Sequence, residues 1–161
     1  YSPIINKESI LQKLDALYNI SRDISHDTTD LEENKSFSRQ VSELLISYQS
    51  EDREINIYGN NDEIWINITE EVRNEVFIIL RELMTNMKKY SQSSEVTIQF
   101  QQLSQHFNII YTDNGIGIQR NAQFGSGIKN TETRIKNIMS TITFETHENK
   151  GLEILIYFPI N

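Results

Sequence analysis

Glu82, Asn86 and Lys89 follow one another at spacings of four and three in the run R-E-L-M-T-N-M-K-K-Y, Arg81 to Tyr90. On a helix, at about 100° per residue, they share one narrow face. Val72, Val76, Leu80, Leu83 and Met87 fall on a different face that reads as core. A carboxylate, an amide and an ammonium aligned in this way have the chemistry of a metal–phosphate site. An amide oxygen suits Mg²⁺, which keeps several waters and takes phosphate oxygens as further ligands. The ammonium neutralises a phosphate, and the carboxylate can accept a proton or orient a water. The same spacing also describes a solvated helix face with ordinary side-chain pairs.

Two glycine-bearing runs lie downstream. In Y-T-D-N-G-I-G-I, Tyr111 to Ile118, a strand ends at Asp113 and Gly115 and Gly117 follow. Glycines permit tight turning and close approach of backbone to a ligand. A carboxylate at the end of a buried strand can accept from an exocyclic amine, which separates adenine from guanine. The competing reading is an Asn-Gly turn. In F-G-S-G-I-K-N-T-E-T-R, Phe124 to Arg134, Gly125 and Gly127 precede a helix. The free N–H groups and the dipole at a helix start favour a phosphate, and Lys129 adds a cation. A glycine loop that merely lets a helix begin fits that run as well. The order of the three features, with a short polar segment from Ile118 to Phe124 as a lid, favours one nucleotide site over three unrelated turns.

The elements that must position these groups follow from the periodicities. Phe37 to Tyr48 reads as a short helix, Glu54 to Tyr58 as a strand, and Trp65 to Ile68 as a second short strand. Thr69 is a candidate N-cap, with Glu70 and Glu71 in the first turn of a long helix running to about Tyr90. Strands are expected at Val96 to Phe100, Phe107 to Tyr111, Thr141 to Glu145 and Glu153 to Phe158, with a helix from Ile128 to Met139. This is an α+β two-layer sandwich, a mixed sheet covered by three helices. Ahead of it, residues 7 to 28 carry Ile10, Leu14, Leu17, Ser21 and Ile24 at alternating fours and threes, an amphipathic helix in need of a partner helix. A polar linker, 28 to 36, separates the two, which gives domains at 1–30 and 31–161.

Composition bounds the function. The 161 residues carry a net charge of −8 and no cysteine, with 37% hydrophobic and 24% charged residues. Disulfide and thiolate chemistry are excluded. The negative balance disfavours a nucleic-acid interface. No apolar run approaches the ~18 residues of a membrane helix. The three histidines have no metal-ligand spacing. The chain starts at Tyr1 without Met and is expected to be a piece of a longer protein.

Taken together, E-L-M-T-N-M-K-K-Y, D-N-G-I-G and G-S-G-I-K-N-T-E-T-R-I resemble the N box and the two glycine boxes of the ATP-binding catalytic domain of two-component sensor histidine kinases. The form is the short-lid, nitrate-sensor and desaturase-thermosensor type of the Bergerat fold. The closing G-L-E-I-L-I-Y-F-P-I resembles that family's last strand, and the likeness covers about Phe37 to Pro159. The resemblance implies a protein-histidine kinase using ATP and Mg²⁺. It places Asn86 on Mg²⁺, Lys89 near the phosphates, Tyr90 among the ATP-binding residues, and Asp113 on the adenine amine. Gly115, Gly117, Gly125, Ser126, Gly127, Ile128 and Lys129 would shape the pocket and lid. Glu82 sits where the wider superfamily keeps a general base. The implied partners are a second copy, joined through the N-terminal helix, and a response regulator. The implied location is cytoplasmic, with room for a membrane anchor upstream in the parent. Two positions depart from the pattern: Tyr90 stands for a histidine, and Leu152 for a threonine whose hydroxyl lies near the adenine-binding aspartate.

His26, in R-D-I-S-H-D, resembles a phosphoacceptor but is one residue out of step, a rotation of about 100° on a helix. A polar linker begins within two residues of it. The helix over 7 to 28 is therefore read as the second helix of a phosphoacceptor hairpin, with the phosphoacceptor outside this chain. Two rival readings remain: a non-catalytic docking or dimerisation module of the same fold, and an ATPase of the topoisomerase or chaperone kind that hydrolyses through Glu82.

Overall fold

The computed structural model describes residues 35–118, 133–136, 141–146 and 150–160. The helix expected over residues 7 to 28 and His26 lie outside the described residues, as do Gly125, Ser126, Gly127, Ile128 and Lys129. The chain divides into two compact units, Tyr1–Lys35 and Ser36–Asn161.

Alternating apolar residues build the sheet. Strands β1 (Glu54–Tyr58), β2 (Glu95–Leu103), β3 (His106–Asp113), β4 (Thr141–Thr146) and β5 (Leu152–Pro159) form one five-stranded sheet in the order β1-β2-β3-β5-β4. β1 and β2 run parallel, and the other neighbours are antiparallel. The mixed sheet expected from the sequence is thus present. Val96, Ile98 and Phe100 on β2, Phe107, Ile109 and Tyr111 on β3, and Ile154, Ile156 and Phe158 on β5 all point to the buried face.

Helix α1 (Phe37–Ile46) and helix α3 (Glu70–Asn86) cover that face. On α3 the expected stripe is buried at Val76, Leu80, Leu83 and at Met87 just beyond the helix, with Ile79 and Met84 beside it. Thr69 caps α3 as its residue type predicts, its hydroxyl accepting from the Val72 N–H at 3.4 Å. Of the helix expected over Ile128 to Met139, residues 133–136 are described and helical, with Ile135 buried.

One element differs from expectation. The strand expected from Trp65 to Ile68 is absent: Asp62–Trp65 is a short helix, α2, and turns follow it to Ile68. Asn61 caps it, its side chain accepting from Ile64 N–H, and Asp62 and Glu63 occupy the first turn. Trp65 then decides the outcome. Its ring meets Phe37 edge-on at 4.7 Å, Phe107 at 4.9 Å and Phe100 at 5.7 Å. Its indole N–H donates to Asn60 Oδ1 at 2.8 Å, and Asn60 Nδ2 donates on to Ser38 O and Ser42 Oγ. An aromatic core contact with a satisfied N–H outweighs the weak strand preference of Trp65, Ile66 and Ile68.

Candidate active site

The candidate site is built where the end of α3 meets the end of β3. The α-helix stops at Asn86, and Met87–Ser91 form a π-turn. This corrects the expectation of a regular helix to Tyr90. In the wider turn each residue advances by less than in an α-helix, so Lys89 leaves the line drawn through Glu82 and Asn86. Lys88, Lys89 and Tyr90 are exposed, while Glu82 and Asn86 are half-buried. The Asn86 side chain makes no capping hydrogen bond. The turn ends at Gln92 in the left-handed region, φ 54°.

The glycine box closes onto this turn. Ile116 N–H donates to Ser91 O at 2.8 Å. A Cβ on Gly115 would stand 2.1 Å from Ser91 O and 2.2 Å from Ser91 Oγ, so only glycine allows the approach. Gly117 has φ 67°, which glycine adopts freely. Asn114 ties the neighbouring strands: its Oδ1 accepts from Ser94 N–H and Glu95 N–H, and its Nδ2 donates to Ser94 Oγ, all at 3.0 Å. Across β3, a Cβ on Gly151 would stand 2.0 Å from Asp113 O.

Asp113 is the buried carboxylate at this junction, 4% exposed. Its Oδ1 accepts from Gly115 N–H at 2.8 Å. Its Oδ2 accepts from the Tyr111 hydroxyl at 2.5 Å. Burial, the nearby Asp113 charge and this hydrogen bond push the Tyr111 phenol well above its ordinary ionisation range, with only partial opposition from Arg53. Tyr111 is therefore a hydroxyl donor at any ordinary pH.

Arg134, in the helical segment after the second glycine run, donates from Nη1 to Glu75 Oε2 at 3.0 Å. Glu75 is one heptad before Glu82 on α3, so this pair joins the second glycine run's helix to the face that carries Glu82 and Asn86.

The sequence resembles the Bacillus subtilis (strain 168) sensor histidine kinase YvfT, 26% identical over 123 residues. The match takes in 74% of this chain and 32% of that protein, so the chain spans about a third of its relative's length. The fold matches the histidine kinase domain of the Erythrobacter litoralis EL346 blue-light activated histidine kinase with TM-score 0.63 at 15% identity, covering 77% of this chain and 59% of that one. It matches Acinetobacter baumannii histidine kinase AdeS with TM-score 0.59 at 15% identity, over 100% of this chain and 87% of that one. The mycobacterial sensor histidine kinase MprB gives 0.54 at 14% identity, over 78% and 93%. The chain is thus similar in sequence to a sensor histidine kinase and shares the fold of histidine kinase catalytic domains. No family model matches it.

The structure brings Gly115 and Ile116 against the π-turn that follows Asn86, with Asp113 held to the Gly115 N–H. Sequence reasoning missed three groups here. Tyr111 reads as one more inward position of β3, and its hydroxyl carries no pattern of its own. Ser91 and Ser93 are buried, and no hydrogen bond reaches either Oγ among the described residues. Their only signal is the polar S-Q-S-S run at a helix end, which also reads as an ordinary loop. Arg134 was visible as part of the second glycine run, but its partner Glu75 lies 59 residues away.

Proposed function

We propose that the chain is the ATP-binding catalytic domain of a two-component sensor histidine kinase, of the short-lid type. The observation that carries this reading is Asp113: a buried carboxylate at a strand end, backed by a glycine turn that no larger residue can form. Each oxygen has one donor and retains lone-pair capacity, so an exocyclic amine can still be accepted. The unmet Ser91 hydroxyl beside Gly115 also fits a polar ligand better than an apolar one. Asn86, half-buried at the helix end, offers the neutral oxygen that Mg²⁺ takes alongside phosphates and water. Lys89 supplies a cation on the same turn, and Gly125, Ser126, Gly127, Ile128 and Lys129 would cover the phosphates.

When bound, Mg·ATP supplies a γ-phosphoryl group with its charge partly neutralised. The protein's share is positioning and electrostatics: Asp113 orients the base, Asn86 the metal, and Lys89 the phosphates. The acceptor is a histidine on a helical hairpin other than His26. The full-length protein acts as a dimer through the N-terminal helix and passes the phosphoryl group to a response regulator in the cytoplasm. No helix among the described residues is long and apolar enough to cross a membrane.

Titration of ATP into the chain with Mg²⁺, followed by calorimetry, tests the reading. Saturable binding at or below millimolar ATP is expected, weakened more than tenfold in Asp113→Asn, which replaces an acceptor oxygen with a donor. Absence of binding at millimolar ATP by a folded protein overturns it. Incubation with ATP alone should leave the chain unlabelled, and acid-labile phosphate on His26 would reassign that residue. Steady-state ATP hydrolysis abolished by Glu82→Ala would favour an ATPase. ATP binding without phosphotransfer in the full-length protein would favour a docking module.

A further inference from the structure

We propose that Tyr111 is a specificity-determining positioning residue of the adenine subsite: its hydroxyl pins Asp113 in the orientation that accepts a purine amine, from a strand position that sequence motifs pass over. The inference rests on the ATP reading above and deepens it. Asp113 pairs in register with Leu152 on β5, so the two side chains stand opposite one another on the same face of the sheet. That neighbour is the natural place for a donor to the carboxylate, and leucine has none. A buried carboxylate lacking a second donor is free to turn about its Cβ–Cγ bond or to demand a water. Tyr111 removes the need. Two residues earlier on β3 it lies on the same face, 2% exposed, and its hydroxyl reaches Asp113 Oδ2 at 2.5 Å. With Gly115 N–H on Oδ1, both oxygens are held and the carboxylate plane is fixed.

The consequence is chemical selectivity. The phenol proton is committed to Asp113, and deprotonation is opposed by burial and by the Asp113 charge. With Tyr111 and Gly115 both donating to it, the Asp113 carboxylate keeps only lone pairs for a ligand, which suits the hydrogens of an adenine amine and opposes the carbonyl of guanine. Tyr111 compensates for Leu152, and the two positions are exchangeable as sources of one hydroxyl.

The test measures ATP and GTP dissociation constants, with Mg²⁺, for the full chain and three variants, after far-UV circular dichroism confirms each fold. In Tyr111→Phe the ATP constant is expected to rise about tenfold, the scale of a hydrogen bond to a charged group. GTP binding should change by less than twofold, so discrimination falls. The double variant Tyr111→Phe/Leu152→Thr should return to within about threefold of the parent for ATP. Leu152→Thr alone should change ATP affinity by less than twofold, because Asp113 is already supplied. Unchanged ATP affinity in Tyr111→Phe overturns the proposal, as does a weakened Tyr111→Phe that Leu152→Thr fails to restore. A tenfold gain from Leu152→Thr alone overturns it too, and this arm does not depend on Tyr111→Phe folding. If the parent chain binds no ATP, the functional reading itself fails. Failure of the Tyr111 arms with a binding parent leaves that reading standing and removes this one.

Discussion

Replacing Gly115 by alanine probes the junction on which the site depends. The added methyl would stand 2.1 Å from Ser91 O, 2.2 Å from Ser91 Oγ and 2.8 Å from Ser91 C. Contacts that short force the glycine turn and the π-turn apart. Overpacking of this kind costs about 1–3 kcal/mol. Separation also lengthens the Ile116 N–H to Ser91 O bond, worth about 0.5–1.5 kcal/mol. The expected loss is roughly 2–4 kcal/mol. At about 4 °C per kcal/mol for a unit of this size, Tm should fall by roughly 8–16 °C. Urea unfolding should give the same loss with an unchanged slope, since the surface exposed on unfolding is unaltered. The obstacle is mainly a backbone carbonyl, so Gly115→Ala/Ser91→Ala should recover little. A Tm within about 2 °C of the parent, or full recovery in the double variant, would refute the close-packed junction.

Other perturbations have separable outcomes. Gly151→Ala, at φ 90° and with its Cβ 2.0 Å from Asp113 O, should cost about 2–4 kcal/mol by chemical denaturation. Gly59→Ala, at φ 74° and with its Cβ 2.1 Å from Phe100 O, is the matched control: a similar loss, with ATP affinity unchanged in the protein that remains folded. Because the Tyr111 phenol ionises only above its ordinary range near 10, the unfolded chain loses that proton first as pH rises. The tyrosine's contribution is therefore complete below about pH 10 and falls above it by ~1.4 kcal/mol per unit. The difference between parent and Tyr111→Phe in urea melts at pH 8 and pH 11 should shrink accordingly. Arg134→Ala removes a partly exposed ion pair, and a loss of no more than about 1 kcal/mol is expected in the same assay.

The parts of the fold that were legible in the sequence rest on local rules. Thr69 before two glutamates marks a helix start, and strict alternation from Val96 to Phe100 marks a half-buried strand. These signals depend on a few neighbouring residues, and distant contacts reinforce them. The segment around Trp65 was misread because its local pattern and its tertiary contacts disagree. Trp65, Ile66 and Ile68 favour a strand by residue type, while Phe37, Phe100 and Phe107 draw the indole into a helical turn. The π-turn was not legible for a related reason: it is fixed by Gly115 and Ile116, more than twenty residues downstream, pressing on Ser91. The turn from Asp113 to Gly117 was recognisable by residue type and order, since glycines and a lone carboxylate have few substitutes. Tyr111 was not, because a tyrosine at an inward strand position looks like packing until its hydroxyl is located. Leu152 shows the complementary limit. Its lack of a hydroxyl was evident, but the hydroxyl that meets Asp113, that of Tyr111, sits on β3.

Asn114 has a consequence for how the domain breathes. A single amide side chain holds the first N–H groups of β2 to the last turn of β3, and Ile116 then fastens that turn to the end of α3. The Asn114 bonds lie at the exposed edge, where water can take their place. The Ile116 bond to Ser91 sits beside buried Ser91 and Gly115, so it is the part of the floor that opens last. A base held in this way leaves the entry and exit of any ligand to whatever lies above it, so exchange need not disturb the contact between the glycine turn and the end of α3.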